Sequence, residues 1–338
     1  MTLLLAEMSK DAIARLDSAS TIALLPLSPL EEHGPHLPVG TDLFLSESLA
    51  RALGDRIEAK WPGTAAVLLP LVPLGSQVVS GPGSVRIRQG ALHDLLFDIV
   101  RSLSVSGFRY ILLCSVHGGI GHVVAQEEVA ERAGRELGIR VEPALSRVLI
   151  PFLTGRYLPA IEKKLGRQLS SADRTALRSD CHGGQWETGG MLAIRPDLVD
   201  EGYRSLPAVT FSNFLRLRAS MTDSCARGLG YVGAPSMATI EYALAANDVL
   251  QEQAIARVDE MLHAPSFRPS HTPFYYWPGY RTRRRYTGNG IRRAAAIGFA
   301  AGAAVGIAGL IAAASNHNRN REPSGQDAGQ DPTPQRDS

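Results

Sequence analysis

Leu30-Glu31-Glu32-His33-Gly34-Pro35-His36-Leu37-Pro38-Val39-Gly40-Thr41-Asp42 is the stretch on which the reading of this chain turns. The apolar run over residues 21–27, Thr-Ile-Ala-Leu-Leu-Pro-Leu, has the length and composition of a buried strand entering a loop. Gly34, Pro35, Pro38 and Gly40 prevent the segment from continuing as strand or helix. Asp42 closes the loop where a helical run over residues 42–53 begins. Carboxylates and imidazoles this densely gathered need something that neutralises and orients them. A divalent metal does both. The competing reading is a solvated polar turn with incidental histidines.

Outward from this loop the chain alternates short apolar runs with longer helical ones. Residues 65–72, 108–116 and 139–145 read as further strands. Residues 89–103 place Leu92, Leu95, Leu96, Ile99 and Val100 on one side of a helix, and residues 121–137 read as a helix with a charged outer face. Strands alternating with helices of this length predict an α/β fold, a three-layer sandwich around a mostly parallel central sheet. Ligands in such folds sit beyond the carboxyl ends of the strands. The Glu31 loop and His117 both follow strands, so the pattern alone brings two parts of one site to the same sheet edge.

Three stretches resemble the signatures of the creatininase (creatinine amidohydrolase) family. They are Glu31-Glu32-His33-Gly34-Pro35-His36-Leu37-Pro38 with Gly40-Thr41-Asp42, His117-Gly118-Gly119, and His182-Gly183-Gly184-Gln185-Trp186-Glu187-Thr188. The resemblance covers about residues 15–262. It implies a metal set of Glu31, His33, Asp42, His117 and Glu187, with Asp42 bridging two divalent ions (Zn, Mn or Fe). It also implies that a metal-activated hydroxide attacks an amide carbonyl, with His182 and Glu32 as the catalytic side chains and His182 passing a proton to the leaving nitrogen. Ser76, Asp180 and Trp186 are expected to bind substrate, although Asp180 and Trp186 read equally as capping and packing residues. Cys181 reads as a bystander thiol, since no activating base is specified for it.

The chain departs from the family pattern in several places. The family usually frames the ligand histidine as Asn-Gly-His-Gly-Gly-Asn, where this chain has Ser115, Val116 and Ile120. Creatinine-hydrolysing members carry a glutamate ligand where Gly119 stands, so creatinine is not assigned as the substrate. A family loop histidine before Pro-Gly-Thr is replaced in the neighbourhood of Val78 and Val79, and Ala234 stands where an aspartate is common. The expected substrate is a small amide, cyclic amide, formamide or short peptide. A catalytically weak binding or scaffold protein is the alternative. Polar residues 151–178 read as a lid or a surface excursion, and the family implies a ring of several subunits.

With 35 basic and 33 acidic residues the net charge is +2, so no global field steers the chain to nucleic acid. The three cysteines lack paired spacing, and the N-terminus is too short in apolar residues for a signal peptide; both predict a catalytic domain in the cytoplasm. The hydrolase domain is expected over residues 1–268, followed by an aromatic and basic linker over 269–293. Residues 294–315 carry no charge and, as a helix, would span about 33 Å, enough for a single C-terminal transmembrane anchor. Gly298, Gly302, Gly306 and Gly309 give that span a small-residue face. The preceding aromatics and arginines resemble an interfacial belt on the cytoplasmic side, and residues 316–338 read as a disordered polar tail.

Overall fold

The computed structural model describes residues 2–212 and 216–282. Its centre is a sheet of five parallel strands in the order β1-β3-β2-β4-β5: β1 (Leu3–Leu4), β2 (Thr21–Pro26), β3 (Ala65–Leu68), β4 (Tyr110–Cys114) and β5 (Arg140–Pro143). The strands are shorter than their apolar runs. β3 stops at Leu68, beyond which the pairing with β2 thins to the Leu69 N–H on the Leu24 carbonyl at 2.9 Å and an isolated parallel bridge, Leu27 to Val72.

The helices are α1 (Lys10–Ala14), α2 (Thr41–Lys60), α3 (Gln89–Val105), α4 (Ile120–Leu137), α5 (Ser146–Leu153), α6 (Leu158–Leu165), α7 (Ser171–Leu177), α8 (Gln185–Ile194), α9 (Leu217–Ala226) and α10 (Ile240–His263). Side chains alternate across β2. Ile22 and Leu24 pack on the side of Leu53, Ile57, Val258 and Met261, from α2 and α10. Ala23 and Leu25 pack on the side of Leu96, Val100, Val129 and Ala133, from α3 and α4. Both layers are needed because a parallel strand is apolar on both faces. Each fully buried residue such as Ile57 contributes roughly 1.5–3 kcal/mol. The polar stretch over residues 151–178 holds the end of α5 and two short helices, α6 and α7, with breaks at residues 154–157 and 166–170.

Chain order explains where the site lies. From β2 the chain crosses through α2 to β3 on one side, then through α3 to β4 on the other. Order therefore reverses between β2 and β4, whose last paired residues are Pro26 and Cys114. A crevice opens at such a switch point beyond the carboxyl ends of the strands. The Glu31 loop and the His117 loop leave the sheet side by side there.

Residues 269–282, expected to form a linker, pack on the domain. Glu142 holds Arg257 through two bonds of 2.9 and 3.1 Å and accepts from the Ser270 N–H at 3.0 Å. Glu127 accepts from the Thr272 N–H at 2.6 Å and its hydroxyl at 3.2 Å, and Glu128 accepts from the Thr282 N–H at 3.1 Å. The charged outer face of α4 thus lies partly beneath this strap. Tyr275 is buried with the Arg281 guanidinium 4.1 Å above its ring, so this aromatic packs on the domain instead of forming part of a free belt. The expected span over 294–315 and the tail over 316–338 lie outside the described residues. Among the described residues no helix is long and apolar enough to cross a membrane.

Burial raises the Glu127 carboxyl to about 8. Between about pH 4.5 and 8 the folded state holds a proton that the unfolded chain has released, so this residue makes stability fall as pH rises. Glu127→Gln is expected to remove that slope and to stabilise the protein above pH 8 by on the order of 3–5 kcal/mol. Thermal melts at pH 5 and pH 9 measure it; a variant whose melting point tracks the parent at both pH values would contradict it.

Candidate metal centre

The loop after β2 is held by its own backbone. Glu31 N–H donates to the Val39 carbonyl at 2.9 Å, and Thr41 donates to the Pro38 carbonyl through both N–H (3.0 Å) and hydroxyl (2.7 Å). Gly34 adopts φ +86°, and a Cβ there would meet the Leu229 carbonyl and the Tyr231 ring at 2.9 Å. These restraints put Glu31 and His33 opposite Asp42, which lies in the first turn of α2, where the helix dipole favours a carboxylate. His117 arrives from the turn after β4. Glu187 arrives from the first turn of α8, with Oε2 accepting from the Gly183 N–H at 2.5 Å.

All five expected ligands converge and are buried. Asp42 faces both ways: Oδ2 lies 3.1 Å from His117 Nδ1, and Oδ1 lies 3.4 Å from His33 Nε2. Glu31 Oε2 is 2.8 Å from His117 Nδ1, and Glu187 Oε2 is 3.6 Å from His33 Nε2. Two ligand groups result, Glu31–Asp42–His117 and His33–Asp42–Glu187, with Asp42 common to both. Outer contacts set the tautomers. His33 Nδ1–H donates to the Glu31 carbonyl at 2.9 Å, and His117 Nε2–H donates to the Ser76 carbonyl at 3.2 Å. Each ring therefore commits its outer nitrogen to the backbone and turns the other towards the carboxylates, where it carries a proton in the absence of an ion and would give that proton up to hold one.

The donor set fits divalent cations. Glu31 Oε2, His33 Nε2 and both Asp42 oxygens are buried and face only one another, with no hydrogen-bond partner outside the ligand set, a concentration of buried donors that a cation would satisfy. Electrostatics agree. Burial works against charge on the imidazoles, yet Asp42, Glu187 and Glu31 hold His33 up at about 10, and Glu31 and Asp42 hold His117 well above the usual range. Burial also opposes charge on the carboxyls, yet His117 and His182 keep Glu31 low, and His33 and His117 keep Asp42 lower still. A pocket that draws protons onto its histidines this strongly is short of positive charge. Mixed oxygen and nitrogen donors suit Zn²⁺, Mn²⁺ or Fe²⁺.

His182 sits at the edge of this centre, its ring 4.1 Å from that of His33, and forms a third close group with Glu31 and His33. Its position comes from an antiparallel bridge to Val232, and its Nε2–H donates to the Glu32 carbonyl at 2.7 Å. Gly183 follows at φ +58°, where a Cβ would meet the His33 carbonyl at 2.8 Å. That close approach accounts for glycine where the family has alanine.

The remaining expected residues are placed differently. The Glu32 carboxylate accepts from the Gly34 N–H at 3.1 Å, packs against Gly81 and Gly230, and belongs to none of the ligand groups; its carbonyl orients His182. Asp180 caps α8, accepting from the N–H groups of Gln185 (2.6 Å) and Trp186 (2.9 Å), while burial raises its carboxyl to about 7. Trp186 donates to Asn247 at 2.8 Å and packs on Phe152, a tie between helices. Ser76 contributes its carbonyl to His117, and its own hydroxyl is buried without a partner. Burial pushes the Cys181 thiol far above its ordinary range, in keeping with a bystander. Asp180→Ala is expected to cost about 2 kcal/mol, since it removes a buried helix cap. The check is a denaturant titration, where an unchanged midpoint would exclude the capping role.

Other supports escaped the sequence reading. Ser28 Oγ lies 2.7 Å from Ser46 Oγ and 3.0 Å from Ser115 Oγ, and Ser115 Oγ lies 2.9 Å from His122 Nε2. The His122 ring meets His117 edge-on at 5.0 Å. Hydroxyls and a buried imidazole therefore stand behind His117 where the family has amides. His36 pairs with Thr188 of α8 at 2.9 Å, joining the motif loop to the Glu187 helix. Residues this far apart in sequence leave no local pattern.

A parallel α/β sheet with two carboxylate–imidazole groups at its switch point defines a metallohydrolase-type centre. The family model described as creatininase, creatinine amidohydrolase, matches residues 6–258, and the chain belongs to the creatininase family, hydrolases acting on C–N amide bonds. The creatinine amidohydrolase of Pseudomonas putida is 27% identical over 212 residues, 56% of this chain and 71% of that one. The mycofactocin precursor peptide peptidase of Mycolicibacterium smegmatis is 27% identical over 228 residues, 67% of this chain and 79% of that one. A solved manganese creatininase superposes with a TM-score of 0.54 at 24% identity, covering 77% of this chain and 99% of that one, which shows the shared fold.

Proposed function

We propose that the protein is a metal-dependent amidohydrolase that cleaves a C–N bond in a small amide, cyclic amide, formamide or short peptide. One observation carries the reading: two complete ligand groups share Asp42, whose buried oxygens lack any other partner. Glu31, Asp42 and His117 would hold one ion, and His33, Asp42 and Glu187 the other. Bound there, divalent ions supply Lewis acidity, making water nucleophilic near neutral pH and polarising the amide carbonyl. Solved creatininases in manganese and zinc–zinc forms support that pairing.

The chain's own residues do the rest. With Nε2–H committed to the Glu32 carbonyl, His182 keeps Nδ1 free to take a proton and deliver it to the leaving nitrogen. Gly119 offers no carboxylate, and a Cβ there would lie 2.4 Å from His117 Nε2 and 3.0 Å from the Ser76 carbonyl. That supports a substrate other than creatinine, and the peptide-cleaving relative supports a peptide. The test is a panel of creatinine, cyclic amides, formamides and short peptides offered to the metal-loaded protein. Chelator-sensitive release of amine from a member other than creatinine is expected. No hydrolysis of any member would contradict the reading.

Tethering to a membrane, with the catalytic domain on the cytoplasmic side, is supported by the uncharged run over 294–315 behind Arg283, Arg284, Arg285, Arg292 and Arg293. The full-length protein is expected to stay in the membrane pellet after alkaline carbonate; release would remove the anchor. Self-association is supported by family resemblance and by Ile240 and Leu244, exposed on α10.

A further inference from the structure

We infer that Gln77 is a positioning residue for the ion held by Glu31, Asp42 and His117, an inference that rests on the two-ion reading above. Among the described residues Gln77 is the sole non-glycine with positive φ, at 61°. A left-handed conformation in a residue with a long side chain persists only where its surroundings impose it. The backbone on either side of it meets a metal ligand. The Ser76 carbonyl accepts from His117 Nε2–H at 3.2 Å, and the Val79 N–H donates to Glu31 Oε1.

Gln77 itself spans to the other wall. Its Oε1 accepts from the Gly121 N–H at 2.5 Å, in the first turn of α4 directly after the His117 turn. Gly119 and Gly121 leave room for this approach, since Cβ atoms there would lie 2.8 Å from the Gln77 carbonyl and 2.8 Å from Gln77 Oε1, respectively. The loop over residues 76–79 is thus clamped to the His117 turn and orients one oxygen donor and one nitrogen donor of a single ion. His33 and Glu187 receive nothing from it: their outer bonds go to the Glu31 carbonyl and the Gly183 N–H. The effect of losing the clamp is therefore confined to one of the two ions.

Three proteins test this: the full-length parent, Gln77→Gly and Gln77→Glu, each stripped of metal and titrated with Zn²⁺ by calorimetry, with metal content read by mass spectrometry. Gln77→Gly tolerates the positive φ, so it loses the clamp without adding strain. It is expected to weaken one of the two binding steps by about 10–100-fold, the range for groups that orient metal ligands, and to leave the other step at the parental affinity. Gln77→Glu keeps an acceptor at Oε1 and is expected to restore the weakened step. An equal loss at both steps, no loss, or failure of Gln77→Glu to restore binding overturns the inference. A parent that binds two ions beside an unaltered Gln77→Gly leaves the hydrolase reading standing and removes only this one; a parent that binds no ion removes both.

Discussion

Asp42→Ala is expected to reduce bound metal from two ions to at most one and amide hydrolysis by at least about a thousandfold, the loss anticipated when an ion leaves a two-metal site. Asp42 is the residue common to both ligand groups, with one oxygen directed at each. Removing any other ligand leaves one group intact, whereas removing Asp42 leaves each group with two donors. The folded protein survives this change better than its burial suggests. In the absence of metal His33 and His117 are charged largely because Asp42, Glu31 and Glu187 face them, and both revert towards neutrality when the bridge is lost. Elemental analysis and turnover on the same sample decide it. A variant that retains two ions would show that Asp42 does not bridge.

His182→Ala is expected to lower kcat by about 10²–10⁴-fold, the contribution of a positioned acid–base group, with two ions still bound. His182 lies outside the two groups that share Asp42, so occupancy survives its loss. The more discriminating variant is His182→Gln, which can still donate to the Glu32 carbonyl but cannot carry a proton. It is expected to be as slow as alanine while still binding two ions. Full turnover by His182→Gln would reduce His182 to a positioning role and sink the assignment of proton transfer.

Much of this arrangement is legible in the sequence. Apolar residues 21–27 became β2 because a strand buried on both faces needs no polar alternation, and the density of Glu31, His33 and Asp42 placed the centre at its end. His117 followed from the parallel fold, since β4 ends in register with β2. Glu187 and His182 were reachable only through family resemblance, because a turn with two glycines, not helical spacing, brings them in. The clamp at residues 76–79 was invisible, since the carbonyl of Ser76 and the N–H of Val79 are backbone groups without a sequence signature. Asp180 carried an ambiguity that spacing could not resolve, because a buried carboxylate before a helix serves equally as cap or substrate contact. Tyr275 was read by composition as a membrane-facing aromatic, whereas Arg281 and α4 give it a place on the domain itself.

The most direct test of the two-ion account is the metal content of the full-length protein, purified, reconstituted with Zn²⁺ or Mn²⁺, freed of excess ion and measured by mass spectrometry. The account predicts two divalent ions per chain. One ion per chain, or none, would contradict it.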